Sequence, residues 1–80
     1  MNLETVRVGM VGLGLAATSH FKGYDSHPAA EVVAVCDLSQ GRAETFAQER
    51  GIDSIYVSFE KMLAEADVQI VDLATPTFLH

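Results

Sequence analysis

The chain has 80 residues, of which 49% are hydrophobic and 20% charged, and these proportions are typical of a folded globular chain rather than a disordered one. Its 5 basic and 11 acidic side chains give a formal net charge of −6, which argues against nucleic acid or an anionic membrane surface as a partner, because both attract basic patches. The single cysteine excludes an intrachain disulfide and a cysteine-based zinc cluster.

The N-terminal part of the chain predicts a strand followed by a helix. Residues 6–11 form an apolar run that favours a strand, and residues 15–26 favour a helix. Within that helix, Ala17, Phe21 and Tyr24 recur at helical spacing, so we expect them on one buried face.

The middle of the chain repeats this order. A second strand is predicted over residues 32–36, and Ser39 is placed to cap a helix that runs to about Arg50. Gly51 then provides a natural C-terminal stop. The apolar positions of this helix are expected to face inward: Ala43, Phe46 and Ala47.

The C-terminal part predicts two more strands with a helix between them. A short strand covers residues 54–57, Ser58 caps a helix over 59–65, and a mostly apolar strand covers 68–74. Such a run is typical of a parallel strand covered on both faces, and Thr75-Pro76 ends it. The apolar side chains of the helix are Phe59, Met62 and Leu63.

Regular alternation of strands and helices predicts an α/β fold with a Rossmann-type parallel sheet and right-handed crossovers. The expected strand order is 3-2-1-4. A doubly wound sheet normally continues beyond a fourth strand, so we expect residues 1–80 to be the N-terminal portion of a larger dinucleotide-binding domain. Strand 4 would then be an open edge, and one face of the sheet would lack helices.

A glycine-rich turn joins the first strand to the first helix. Gly12 permits a tight turn, and Gly14, which has no Cβ, allows a pyrophosphate to approach the backbone. The N–H groups of a helix starting near Leu15 would face the phosphates. Ala17 stands where a third glycine is common and is small enough for close packing. The alternative interpretation is a turn that binds no ligand.

An acidic residue ends the second strand. Asp37 follows Val35-Cys36 and stands 23 residues after Gly14, near the spacing of the ribose-binding acid in dinucleotide-binding folds. Its carboxylate suits the 2′ and 3′ hydroxyls and repels a 2′-phosphate, which favours NAD over NADP. Arg42 could still reach such a phosphate. These features alone leave FAD and S-adenosylmethionine open as ligands.

Other candidate sites are weaker. His20 on the first helix is interpreted as a packing or hydrogen-bonding residue rather than a catalyst, and no spacing of His, Asp or Glu indicates a metal site. The longest nearly apolar run, residues 8–17, is too short to span a bilayer. Residues 1–7 lack the positive region of a secretory signal, so a cytoplasmic location is expected.

Three motifs in order resemble the Gfo/Idh/MocA family, named after glucose–fructose oxidoreductase and inositol dehydrogenase. They are Gly12-Leu-Gly14-Leu-Ala-Ala17, Val35-Cys36-Asp37 and Ala74-Thr-Pro-Thr-Phe-Leu-His80. The resemblance covers residues 7–80. It implies that the parent protein is an NAD(P)-dependent oxidoreductase acting on a sugar, inositol or related polyol, and that it is a homo-oligomer.

The resemblance also assigns roles to individual residues. Gly12, Gly14, Leu15 and Ala16 would line the pyrophosphate site, whereas Asp37 and Leu38 would flank the adenine ribose. Thr75, Pro76 and His80 would lie toward the nicotinamide half. The family's Glu-Lys-Pro motif and the catalytic residues of its second domain are absent from these 80 residues. The piece alone is therefore expected to catalyse nothing. The alternative is a non-catalytic nucleotide-sensing or scaffold module with the same fold.

Overall fold

The computed structural model describes residues 5–74, which form alternating strands and helices. In chain order the elements are β1 (Val6–Val11), α1 (Leu15–Asp25), β2 (Ala30–Cys36), α2 (Gln40–Arg50), β3 (Ser54–Tyr56), α3 (Phe59–Glu65) and β4 (Ile70–Leu73). Within these residues, none of the helices has the length and apolar content that crossing a membrane requires.

The four strands form one parallel sheet in the order β3-β2-β1-β4, which confirms the predicted order. The register places Val11 beside Cys36 on one side and beside Leu73 on the other. The carboxyl ends of β2, β1 and β4 therefore meet at one edge of the sheet, and the loops that follow β1 and β2 open from that edge.

Helices α1 and α2 cover one face of the sheet, and the larger core cluster lies beneath them. Met10 of β1, Val35 of β2 and Ala17 of α1 are fully buried there, and Phe46 of α2 is buried beside them. The inward faces predicted for both helices are confirmed, with Phe21 and Tyr24 partly buried against the cluster and Ala43 and Ala47 inside it.

Helix α3 partly covers the opposite face, which was expected to lack helices. Met62 is fully buried against Ala34 and Cys36, and a Cβ on Gly9 would lie only 3.1 Å from the Met62 Cε atom, so β1 and α3 pack closely. Phe59 and Leu63, the other large apolar side chains of this helix, are 40% and 50% exposed. Met62 is the one buried residue of the seven in α3.

The fourth strand also differs from its prediction. It covers Ile70–Leu73 rather than residues 68–74, and both of its end residues are exposed, Ile70 at 47% and Leu73 at 56%. The physical reason is its place in the sheet, because among the described residues β4 pairs only with β1 and forms an edge. The open edge expected for this strand is therefore confirmed, whereas the cover on both faces that its apolar sequence indicated is not found.

Elements β1 and α3 have the predicted bounds, and α1, β2 and β3 differ from theirs by one or two residues. Helix α1 ends at Asp25 with Ser26 as its cap, and β2 begins at Ala30, two residues earlier than predicted. Helix α2 is capped as predicted, since the Ser39 hydroxyl accepts from the Arg42 N–H. Gly51 ends that helix with a left-handed φ of 70°, a conformation that favours glycine.

Candidate functional site

A cavity of about 940 Å³ opens at the carboxyl edge of the sheet, between the loops after β1 and β2. The glycine-rich turn and the start of α1 form one wall, and the end of β2 with the following loop forms another. Ligands of open α/β sheets bind at this position, outside the carboxyl ends of the strands where the chain order reverses.

The turn after β1 depends on Gly12. Its φ of 83° lies in the left-handed region that side chains with a Cβ rarely adopt. Its N–H donates to the carbonyl oxygen of Cys36 at 2.9 Å, which extends the β1–β2 ladder to the point where the chain turns. The glycine therefore directs the chain from the sheet into the cavity wall.

Gly14 lies beside open space at the start of α1. Its backbone has φ −80° and ψ −156°, which other residues also adopt. A Cβ built on it would meet no atom within 4 Å. Neither backbone conformation nor packing requires glycine here, and the open space lies on the cavity wall. The space beside Gly14 leaves room for another group to approach the backbone closely.

The start of α1 differs from the starts of the two other helices. The serines Ser39 and Ser58 cap α2 and α3 through their hydroxyl groups, whereas no side chain caps α1 at Gly14. The first N–H groups of a helix have no partners within it, and the helix dipole places a partial positive charge there. The N-terminal turn of α1 therefore offers donors to an anion in the cavity.

Asp37 lies at the end of β2 and is the one buried charged or polar residue of the described chain, 8% exposed. Its Oδ2 atom accepts from the N–H of Leu13 and its Oδ1 atom from the N–H of Ser39, both at 2.8 Å. The Arg42 guanidinium lies 3.6 Å from Oδ2. The carboxylate thus holds the glycine-rich turn and the loop after β2 together across the cavity floor.

Burial raises the pKa of Asp37, but the hydrogen bonds from Leu13 and Ser39 and the charge of Arg42 more than compensate, so its pKa lies below the ordinary 3.8. A carboxyl group with a lowered pKa in the folded state stabilises the fold above its unfolded-state pKa, and that stabilisation is lost as pH falls through the folded-state pKa. The acid range therefore tests this contact.

We expect the stability difference between the wild-type protein and Asp37→Asn to depend on pH. The difference in unfolding free energy between the two proteins should be constant above about pH 5. It should shrink once the pH falls below the pKa that Asp37 has in the unfolded chain. Urea unfolding of both proteins at several pH values measures it. A difference that is unchanged at acid pH would show that the charge of Asp37 contributes nothing to the fold.

The structure brings most of the predicted site residues together. Five of them line the cavity: Gly12, Gly14, Ala16, Asp37 and Leu38. Leu15 is the first residue of α1. Three predicted positions, Thr75, Pro76 and His80, lie outside the described residues.

Sequence reasoning missed other residues at the cavity. Leu13 lies between the two glycines, and its N–H contact with Asp37 has no sequence signal. Phe59, at the start of α3, lines the cavity, whereas the sequence identified it only as an apolar residue of that helix. His20 also lines the cavity and bonds to Asp72, consistent with a hydrogen-bonding role.

The cavity has the chemistry of a binding site. Its charged groups are the Asp37–Arg42 pair, and burial followed by the nearby Asp37 charge raises the pKa of the Cys36 thiol, which disfavours a reactive thiolate. Among residues 5–74, no group of three His, Cys, Asp or Glu side chains is placed to hold a metal ion. These residues provide N–H donors for an anion at the start of α1 and one buried acceptor for hydroxyl groups, the Asp37 carboxylate.

Comparison with known families gives a match over nearly the whole chain. Residues 6–80 match a family described as an oxidoreductase family with an NAD-binding Rossmann fold, GFO_IDH_MocA. An inositol 2-dehydrogenase of Paenarthrobacter aurescens is 38% identical over 80 residues, covering 96% of this chain and 23% of the relative. The chain spans about a fifth of the length of the curated relatives it matches.

Solved structures of related proteins also superpose closely on this chain. The WlbA dehydrogenase from Bordetella pertussis, in complex with NADH and UDP-GlcNAcA, superposes with a TM-score of 0.88 at 29% identity over 96% of this chain and 24% of that protein. A variant of KijD10, a 3-ketoreductase from Actinomadura kijaniata, in complex with TDP-benzene and NADP, gives a TM-score of 0.83 at 26% identity, over 96% of this chain and 24% of that protein.

Proposed function

Because this chain belongs to the Gfo/Idh/MocA oxidoreductase family with its NAD-binding Rossmann fold, we propose that it holds the dinucleotide cofactor of a dehydrogenase. The reaction of the whole protein would transfer a hydride between the nicotinamide and a carbon of an inositol, sugar or related polyol. Residues 1–80 would be the N-terminal portion of the cofactor domain, because the chain spans only 23% of its inositol dehydrogenase relative.

The single observation that carries the proposal is the unfilled space at Gly14. This glycine is required by neither its φ nor its packing, yet it lies at the uncapped start of α1. A diphosphate fits both facts, because its oxygens can approach a backbone without a Cβ and accept from the first-turn N–H groups.

Asp37 would bind the adenine ribose. Each carboxylate oxygen has two lone pairs, and each accepts one backbone N–H in the structure. One further acceptor position remains on Oδ1 for a ribose hydroxyl, whereas Oδ2 also faces the Arg42 guanidinium at 3.6 Å. Leu38, 93% exposed, and Phe59, 40% exposed, would then give the adenine ring apolar contacts.

The chemistry at the nicotinamide, when the cofactor is bound, is hydride transfer. This chain's residues contribute binding and orientation. Gly14 and the first turn of α1 would fix the diphosphate, and Asp37 would fix the ribose, so that the nicotinamide end projects beyond the end of β4. Holding reactants in place lowers the entropic part of the barrier. Thr75, Pro76 and His80 would follow the cofactor toward the nicotinamide. The acid–base step would use groups outside these residues, so the piece alone would be inactive.

We propose NAD rather than NADP as the preferred cofactor. The Asp37 carboxylate would repel a 2′-phosphate. Arg42 is the nearest cation, but it already pairs with that carboxylate at 3.6 Å. Related structures contain either NADH or NADP, so the preference depends on the local charges of this chain.

The cofactor preference gives a direct test. We expect the full-length protein to bind NADH at least about tenfold more tightly than NADPH, equivalent to about 1.4 kcal/mol, in titrations that follow nicotinamide fluorescence. Asp37→Ser should remove this preference while keeping Arg42. Tighter binding of NADPH by the wild-type protein would contradict the NAD assignment, and failure to bind either dinucleotide would contradict the proposed function.

We further propose that the whole protein is a homo-oligomer in the cytoplasm. Its substrate would be a small polyol or sugar. The family relationship supports the substrate class, since curated relatives include inositol 2-dehydrogenases and a D-apiose dehydrogenase.

A further inference from the structure

Three side chains form a polar cluster between α1 and β4. The His20 Nδ1 atom lies 3.0 Å from both carboxylate oxygens of Asp72, and the Tyr24 hydroxyl donates to Asp72 Oδ2 at 2.6 Å. The bond to Asp72, followed by burial and the Asp72 charge, raises the pKa of Tyr24 to about 12, so the hydroxyl remains a donor at neutral pH. Among residues 5–74, every side-chain hydrogen bond that joins α1 to β4 ends on Asp72.

Placing a carboxylate at position 72 is energetically unfavourable. Asp72 pairs in register with the fully buried Met10, so it lies on the sheet face that α1 covers. Its side chain is only 13% exposed. Burying a charge costs free energy that an apolar residue would avoid, and replacing buried ionic groups by apolar ones is often neutral or stabilising. Stability alone therefore does not explain Asp72.

The cluster lies close to the cofactor cavity. Ala16 and His20 are four residues apart on α1, which places them on the same face, and both line the cavity. Asp72 lies two residues before Ala74, which also lines it. The cluster thus connects the helix whose first turn faces the diphosphate to the strand whose end faces the nicotinamide half.

We propose that Asp72 is a positioning residue for the dinucleotide: with His20 and Tyr24 it fixes α1 against β4, so that the first turn of α1 and the end of β4 keep the separation that the whole cofactor needs. This inference rests on the proposed function. A ligand that occupies only the adenosine side of the cavity, near Asp37, does not depend on this separation. The cluster therefore affects binding of the dinucleotide and not of its adenosine half.

The hydrogen bonds to Asp72 can be kept or removed one at a time by substitutions at His20 and Tyr24. An ionised carboxylate only accepts, so the His20 Nδ1 atom must carry the proton and donate. Asparagine can place a side-chain N–H where Nδ1 lies, whereas the longer glutamine places its N–H where Nε2 lies. His20→Asn should therefore keep the bond to Asp72, and His20→Gln should lose it. Tyr24→Phe removes the other donor and keeps the ring.

The test compares NADH with AMP on the full-length protein by titration calorimetry. For Asp72→Val we expect a dissociation constant for NADH raised about tenfold, with AMP binding changed less than about twofold. His20→Gln and Tyr24→Phe should each show the same selective loss to a smaller extent, and His20→Asn should bind NADH as the wild-type protein does. The variants His20→Gln and Tyr24→Phe keep the test decisive even where Asp72→Val fails to fold.

Two results would overturn the inference. Unchanged NADH binding in His20→Gln and Tyr24→Phe would show that the cluster serves only the fold. An equal loss of NADH and AMP binding would show a general disturbance rather than positioning. A wild-type protein that binds neither ligand is a different result, because it would overturn the proposed function itself.

Discussion

Replacing Gly14 by valine is expected to weaken NADH binding about a hundredfold, equivalent to about 2.7 kcal/mol, and to leave the melting temperature almost unchanged. The backbone at Gly14 adopts ordinary negative φ, and a Cβ there meets no atom within 4 Å. The added side chain therefore disturbs nothing in the folded chain. It would occupy the space in which the diphosphate approaches the first turn of α1.

Gly23→Val is the matched control for this experiment. Gly23 lies on the same helix, and a Cβ there also meets no atom within 4 Å, but it does not line the cofactor cavity. Its substitution should leave NADH binding unchanged. Equal NADH affinity in Gly14→Val and the wild-type protein would show that Gly14 belongs to a turn without a ligand, the alternative interpretation of the sequence.

Replacing Asp37 by alanine is expected to reduce both stability and cofactor binding. The change leaves the N–H groups of Leu13 and Ser39 without their acceptor. The Leu13 donor is buried, and an unsatisfied buried donor costs about 1–3 kcal/mol. The acceptor proposed for the ribose hydroxyls is removed as well. We therefore expect a lower melting temperature together with a loss of NADH affinity of about a hundredfold or more, measured by thermal unfolding and titration.

Asp53→Ala separates these effects from a general change of charge. Asp53 is an exposed acid between α2 and β3, and its removal alters the net charge by the same amount. Both properties should remain at wild-type levels in that variant. An Asp37→Ala protein that keeps wild-type stability would contradict the idea that this carboxylate holds the glycine-rich turn in place.

Much of the fold was accessible from local patterns. Alternating apolar runs and helical spacings predicted every element, and the alternation itself predicted the parallel sheet and its strand order, confirmed as β3-β2-β1-β4. Glycine and serine signals near helix ends also held, because caps depend on neighbours within three or four residues. At β4 the open edge was predicted and is confirmed among the described residues, but the apolar run overestimated the length and the burial of the strand.

In the candidate site, too, some features were predicted from the sequence and others are visible only in the tertiary structure. The sequence by itself determined where the glycine-rich turn and the acid at the end of β2 lie, because their spacing along the chain reflects a strand–turn–helix–strand unit. Only the tertiary structure decided that Asp37 holds the N–H of Leu13, 24 residues away, and that Asp72 joins His20 and Tyr24 across 52 and 48 residues. Local propensity acts over a few residues, whereas these contacts depend on how strands pair and on which face each side chain lies. The sheet register, which no short segment encodes, brings those groups together.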